Sequence, residues 1–583
     1  MKRNISRSAL VVMVLLSLAS CKKMLDVVPE DRIDESQMYR DRADADAAVI
    51  GIYGKFLGLA KQYVFLNELR ADLMDITPNS DPYMIELSNH AVSQENPYAS
   101  PRPFYELILN CNDVMKNFNI MVKQSRMSVD EYQKRYSDIG ALRSWLYLQL
   151  GIHFGSVPYI TSPLENVAQV KNLDSFPKTS FDALLDSLIN FTEQLPYKES
   201  YAYPTGTSLV VTIDGSSTNK VFINKPGLMG DLYLWKGEYL KAATAYKKIL
   251  TSEDNAASID LLFNYYRLGY SATNFAETSV GYSKSQDESS LINSVTTGWR
   301  SMFALPNTNR SWNGEWVWSL PYSAIQKPGN PFIEVFSATY GKYQLKASQA
   351  AIDKWNGQTQ RNGIPYDARG RLSFTNESGK SVITKFTDNA VALTPLNKTG
   401  NWNILRAAGV HLKFSEAANR DGKGKLAWAL LNLGIKISFY NGSYTYGIKI
   451  PANINPANMD ELNTQMTPYP EPYFFDAREN SDIVRGKWYR NIGIRSRANV
   501  VALPEALQTD MLGLEDKLIE EGALELAFEG TRWSDLMRIA RRRNDPAFLA
   551  DKVYQKLLKS GNPNASAVRA KLMDPNNWYL PFR

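Results

Sequence analysis

From Ala43 to Leu59 small and apolar residues recur at helical spacing, with Ala47, Ile50, Tyr53 and Leu57 in register, and the pattern predicts a long first helix. The same periodicity predicts helices over Phe104 to Lys123, Val129 to Phe154, Phe181 to Gln194 and Asn224 to Leu250. It predicts three more over Leu405 to Asn419, Gly424 to Tyr440 and Leu514 to Arg542. Between them, Pro78 to Pro103, Pro196 to Val221, Asn255 to Arg310 and Asn356 to Asn403 are rich in Gly, Pro, Asn, Ser and Thr, and predict long loops with short strands. Loops beyond about 15 residues are functional or disordered as a rule, and the Trp and Tyr content of these favours function. The fold class expected is therefore all-α, with loop insertions and a few short strands.

One stretch carries a repeat signature. Met229-Gly230 followed by Tyr233, then Ala242 and Tyr246, matches tetratricopeptide spacing, in which small residues let two antiparallel helices approach and aromatics interlock them. Lys236-Gly237-Glu238 supplies the tight turn between the two helices. The leading Trp position holds Pro226 and the closing Pro position Asp254. Helix pairs around Phe104 to Phe154 and Leu405 to Tyr440 predict further degenerate units, and so a tetratricopeptide-like superhelix.

The N-terminus has a different pattern. Lys2, Arg3 and Arg7 precede an apolar run from Ala9 to Leu18, the layout of a secretory signal and too short to cross a bilayer, which needs about 20 apolar residues. Leu18-Ala19-Ser20-Cys21 looks like a lipobox, whose cysteine accepts a diacylglyceryl group. Two or three acyl chains anchor durably, at about 0.8 kcal/mol per buried methylene. The expected organisation is a signal peptide over 1–20, a lipid-anchored tether over 21–40 and a single domain over 41–583, with insertions mainly at 72–105 and 255–403. With Cys21 acylated, Cys111 alone remains among the two cysteines; it sits between apolar helical positions and predicts a buried, inert thiol without a disulfide.

Composition narrows the classes. Hydrophobic residues make up 44% and charged residues 22% of the 583, close to globular averages. Three of the 66 basic residues lie in the leader, which leaves 63 against 60 acidic ones and gives no polyanion signal, so no nucleic-acid partner is expected. The cluster Arg538, Arg541, Arg542 and Arg543 predicts a solvated helix end. Aromatics reach 11%, with 12 Trp and 32 Tyr, an excess that needs a large core or a stacking surface.

His90, His153 and His411 are far apart, no HExxH, CxxC or G-x-S-x-G string exists, and Gly379-Lys380-Ser381 lacks the upstream Gly of a phosphate loop. No metal, no cofactor and no catalytic residue is therefore expected. A glycoside hydrolase, which needs only two carboxylates, remains the enzymatic alternative.

The residues resemble the SusD/RagB family, in the family's order. Cys21-Lys22-Lys23-Met24-Leu25-Asp26 and Pro29 are similar to its post-anchor segment, and Asp44-Ala45 through Gly51-Ile52-Tyr53 to its first helix. Glu68-Leu69-Arg70-Ala71-Asp72 resembles the motif before its variable loops, and Gly140 to Arg143 through Phe154 to Pro158 its second helical pair. Glu525-Leu526-Ala527-Phe528-Glu529-Gly530-Thr531-Arg532-Trp533 with Trp578-Tyr579-Leu580-Pro581 resembles its C-terminal signature. Within it Glu525 and Glu529, four apart, with Arg532 beyond, predict an internal ion pair. The resemblance implies a tetratricopeptide-like scaffold whose loops bind an oligosaccharide, on an outer-membrane lipoprotein that delivers it to a SusC-like TonB-dependent transporter. Members that capture peptide or other nutrients are the alternative. Lys22 and Lys23 stand where an acidic export run is found in surface-exposed lipoproteins.

Sugars offer apolar C–H faces and hydroxyl edges, which flat aromatics and polar side chains recognise together. One ring covering about 100 Å² contributes about 2.5 kcal/mol, so micromolar binding at about 8 kcal/mol needs two or three platforms plus hydrogen bonds. Two stretches supply candidates: Asp72, Tyr83, Asn96 and Tyr98 in the first, and Trp299, Trp312 and Trp316 in the second, where Trp316 and Trp318 alternate like a strand face.

Overall fold

In a computed structural model the structure describes residues 38–164, 173–213, 216–250, 303, 315–323, 327–361, 363–387, 398–439, 465–475, 488, 491 and 493–582. Helices dominate them, and the strands are short and lie in two-stranded ladders.

The helices stack in sequence order. Arg42–Leu57 packs on Arg102–Lys123, which packs on Val129–Phe154, then Phe181–Glu193, Lys225–Lys236, Tyr239–Leu250 and Ala407–Arg420, with Gly424–Leu431 and Met511–Glu525 on the latter. Their ends are set by the chain. Ser128 and Glu131 form a reciprocal capping box at the start of Val129–Phe154. Asp41, Ser180, Asn224 and Asp510 accept backbone N–H bonds at other N-termini. From Ser137 to Phe154 every side chain is buried, which makes this helix the centre of the stack rather than a surface element.

The repeat unit is present. Lys225–Lys236 and Tyr239–Leu250 are joined at Gly237, whose φ of 86° is the left-handed conformation that glycine tolerates. A Cβ at Gly230 would lie 2.4 Å from the Tyr246 ring, so the helix approach depends on that glycine. Further helix pairs form at Arg102–Lys123 with Val129–Phe154 and at Ala407–Arg420 with Gly424–Leu431.

Several expectations need correction. In the first helix Ala47 and Ile50 are exposed, and the buried face is Ala45, Val49, Ile52, Tyr53 and Phe56, one position round from the expected stripe. The helix expected over Leu514 to Arg542 is two, Met511–Glu525 and Arg532–Arg543, because Phe528 and Gly530 adopt φ of 72° and 90°. The helix expected over Gly424 to Tyr440 is likewise divided at Gly434, with φ of 84°. Short helices Pro82–Ser88 and Ala368–Ser373 lie in stretches expected as loops, and Ala547–Lys559 and Ala565–Leu572 form an additional pair. Gly379 belongs to the turn of the hairpin Phe374–Glu377 with Lys380–Ile383.

The core is aromatic. Phe56 stacks on Trp318 at 5.5 Å and contacts Trp145 at 5.3 Å and Trp402 at 4.9 Å between ring centroids. Trp318 and Trp402 come from an antiparallel ladder, Trp316–Tyr322 with Gly400–Arg406, almost wholly buried. Much of the aromatic excess thus fills the interior.

Charge also enters the interior. Arg406 reaches Glu315, Glu525 and Glu529; Arg497 reaches Glu315 and Glu525; Arg369 reaches Asp367, Glu521 and Glu525. Lys385 joins Glu529, and Arg495 joins Glu521. The expected pairing of Glu525 or Glu529 with Arg532 is absent: the chain turns between them, and Arg532 instead joins Asp72 and Glu520. The arginine cluster is no free helix end either. Arg538 and Arg542 both pair with Glu416, Arg542 and Arg543 with Glu515, and Arg541 with Asp182.

Candidate functional site

The loop that follows the Glu68-to-Asp72 motif is built outward from a rigid base. Met74–Ile76 pairs antiparallel with Leu345–Ala347. Beyond it Thr77 donates its hydroxyl to the Tyr343 carbonyl at 2.6 Å, and Asn79 donates its side-chain N–H to the Lys342 carbonyl at 3.0 Å. The segment around Lys342 is itself tightly folded. Lys342 N–H donates to the Glu334 carbonyl at 2.7 Å, and a Cβ at Gly341 would lie 2.3 Å from the Ile333 carbonyl oxygen. Tyr340, 42% exposed, stands at the tip of this turn.

Asp81 caps Pro82–Ser88 by accepting from Met84 N–H at 2.9 Å, and its other oxygen accepts from the Tyr98 hydroxyl at 3.0 Å. Tyr98 is half-buried, edge-on to Phe65 at 5.0 Å. Above these two rings lies the Lys61 ammonium, 5.2 Å from the Tyr98 centroid and 5.6 Å from Phe65. Burial lowers the Lys61 pKa, while Asp81 and Glu334 act against that. Burial and the Asp81 carboxylate raise that of Tyr98, so its hydroxyl stays protonated and keeps its bond to Asp81. The result is one surface bearing Tyr98, Asp81, Glu334, Lys61 and Lys342, with Tyr83 and Tyr340 in the segments that supply it.

The residues expected at the site fall into three groups. Tyr98 is half-buried on this surface, and Tyr83 is half-buried in a segment that supplies it. Asn96 lies beside them but is buried: its N–H₂ donates to the Tyr83 carbonyl at 2.9 Å and to Glu86 at 3.0 Å, and its oxygen accepts from Tyr98 N–H at 3.0 Å. Its place is to hold the loop. Asp72 is 1% exposed and gripped by Arg532 at 2.6 and 3.0 Å, which makes it an internal tie. Trp316 is 5% exposed within its ladder. Trp299 and Trp312 lie outside the described residues, as does Cys21. Lys61, Glu334, Tyr340 and Lys342 were not anticipated; the aromatic-Gly-Lys string at Tyr340-Gly341-Lys342 was the signal available for two of them.

An internal cavity lies between Tyr63, Trp145, Asp231, Lys413 and Arg538, with about 40 Å³ open to water. At about 10–15 Å³ per water it holds a few waters and no sugar ring. The histidines are internal. His90 Nε2 meets the Arg70 carbonyl at 2.9 Å and His411 Nε2 the Leu430 carbonyl at 2.6 Å, while His153 lies against Asn67 and Arg70. Cys111 is buried with its thiol pushed up to about 12, as expected of an inert cysteine. Among the described residues no group of three or more His, Cys, Asp or Glu side chains could hold a metal ion, and no helix is long and apolar enough to cross a membrane.

No family model matches the sequence. A SusD-like protein of Formosa agariphila is 22% identical over 381 residues, covering 60% of this chain and 70% of the relative. A SusD superfamily structure from Bacteroides vulgatus superposes with a TM-score of 0.57 at 14% identity, covering 93% of this chain and 96% of the other. A surface glycan-binding protein of Bacteroides uniformis gives 0.53 at 14% identity, covering 93% and 96%. A laminarin-binding SusD-like protein gives 0.53 at 15%, covering 89% and 98%.

Proposed function

We propose that this chain, whose fold is that of SusD superfamily structures, is a member of that family and acts as a cell-envelope lipoprotein that captures oligosaccharides and delivers them to a SusC-like TonB-dependent transporter. The observation that carries the binding step is the loop surface itself. Half-buried Tyr98, with half-buried Tyr83 and exposed Tyr340 in the neighbouring segments, supplies aromatic surface, and Lys61, Glu334 and Lys342 stand by Tyr98 as polar partners. Two or three rings with hydrogen bonds reach the micromolar range, and the loops are fixed in advance, so little ordering cost opposes binding. Two fold neighbours are named for glycan or laminarin binding, in keeping with this use of the scaffold. The lipobox supports anchoring at Cys21, and the reading is of a binding protein rather than a hydrolase.

The test is a glycan array probed with the full chain, followed by calorimetry on the hits and an assay for new reducing ends. Retention of an oligosaccharide without cleavage is the expected result. Absence of any glycan binding, or release of reducing ends, would overturn it. Mass spectrometry of the membrane-extracted protein should show acyl mass on a peptide that begins at Cys21.

A further inference from the structure

We infer that the ligand of this surface is acidic, and that the Lys61 ammonium receives its carboxylate or sulfate group. The inference rests on the binding reading above and narrows its substrate class.

Lys61 differs from most other lysines among the described residues, though Lys225, Lys423 and Lys425 also lie over rings. Its side chain is half-buried, its ammonium lies over the Tyr98 and Phe65 rings, and among the described residues no carboxylate or carbonyl pairs with it. The carboxylates nearby are already engaged. Asp81 accepts from Met84 N–H and from the Tyr98 hydroxyl. Glu334 pairs with Lys342 at 2.6 Å. Lys398, exposed and next to Glu334, is attached to the same surface through its carbonyl, which accepts from Asn330 N–H at 2.8 Å. Three lysines thus face two carboxylates, and the pairings within the set leave Lys61 and Lys398 with open donors.

A partly desolvated ammonium without an acceptor is costly for a fold to keep and is stabilised by an arriving oxyanion. Its placement fits a sugar acid. Lys61 already occupies a face of Tyr98, so the sugar approaches the ammonium from the solvent side, and its oxyanion, on an exocyclic bond at the ring edge, meets the cation there. A neutral glycan would offer the ammonium hydroxyl oxygens but no opposite charge.

The test is calorimetric titration of the full chain with four probes: oligogalacturonate, sulfated galactan oligosaccharides, laminari-oligosaccharides and xylo-oligosaccharides. The expected result is at least tenfold tighter binding of one acidic probe than of either neutral one. That preference should fall at least tenfold in Lys61→Gln, persist in Lys61→Arg and weaken with added salt. The sulfated and uronate probes decide which oxyanion is taken. Melting temperatures of both variants close to that of the parent show that the fold is kept. Preferential binding of a neutral probe, or acidic binding that Lys61→Gln leaves unchanged, would overturn the inference while leaving glycan capture in place. Binding to none of the four would overturn it too, and an empty glycan array would then remove the reading beneath it.

Discussion

Arg532 donates from Nε and Nη2 to the two oxygens of Asp72, at 2.6 and 3.0 Å, across 460 residues of sequence. The same junction is made three times over. The Glu68 carboxylate accepts from the backbone N–H groups of Phe528, Gly530, Thr531 and Arg532, at 2.8 to 3.4 Å, and so covers the start of the Arg532–Arg543 helix. The Arg70 guanidinium lies 4.0 Å from the centroid of the Trp533 ring. Glu68, Arg70 and Asp72, from the motif before the candidate loop, thereby clamp the Phe528-to-Trp533 segment and hold the base from which that loop rises.

Breaking that clamp at its ion pair should be costly. Asp72→Asn leaves Arg532 buried without its main partner, and a loss of about 3–5 kcal/mol is expected. Asp72→Asn combined with Arg532→Met should recover part of it. Urea midpoints of the parent, both single variants and the double variant check this, and additive losses would count against the pairing.

The buried carboxylates predict a pH profile with two limbs. Burial opposes ionisation of Asp72 and Glu416, but Arg532 and Lys354 in one case and Arg538 and Arg542 in the other hold each at about 2. A lowered folded pKa stabilises above the unfolded value, so about 2–3 kcal/mol from each is lost as pH falls from about 4 to 2. Glu68 is the opposite case. Burial outweighs its four N–H bonds and raises it to about 7, so its contribution is full below about 4.5 and lost as pH rises through 7. Thermal melts from pH 2 to 8 should peak near pH 4–5, and Glu68→Gln should flatten the upper limb.

Gly230→Ala tests the helix approach. The added methyl meets the Tyr246 ring at 2.4 Å, and overpacking of about 1–3 kcal/mol is expected in chemical denaturation. Tyr246→Leu in the same chain should relieve part of that strain.

Aromatic substitutions separate surface from core. Tyr340→Ala, at an exposed position, should weaken oligosaccharide binding by about five- to tenfold, with thermal stability nearly unchanged. Trp316→Ala should cost about 3–5 kcal/mol in stability, because the ring is buried in its ladder. Trp316 gives up no ring–solvent surface that a sugar could use. Measured binding loss with intact stability in Trp316→Ala would reverse that assignment.

The helical scaffold was legible in the chain because helix formation is local. Gly237 after Lys236 and the Gly230-to-Tyr246 spacing act within one pair of successive helices, and both operate in the folded protein as the pattern implied, while Ser128 with Glu131 is an equally local cap that the pattern did not single out. The first helix was placed correctly and its buried stripe was not, since the side that faces inward is set by Arg102–Lys123, which packs on it.

The sequence by itself determined three of the helix pairs, the repeat geometry and the stretch between helices that carries Tyr83 and Tyr98, though not the short helix on which Tyr83 sits. Only the tertiary structure decided which charged and aromatic residues face solvent. Trp316 and Trp318 are internal because Arg406 and Leu405 pair opposite them, and Asp72 is a tie because Arg532 arrives from the other end of the chain. Lys61 reaches the candidate surface because Tyr98 and Phe65 pack beneath its ammonium, with Glu334 brought close to the same place. Periodicity encodes neighbours a few residues away; burial and ion pairing depend on partners that the folded chain brings together from hundreds of residues apart.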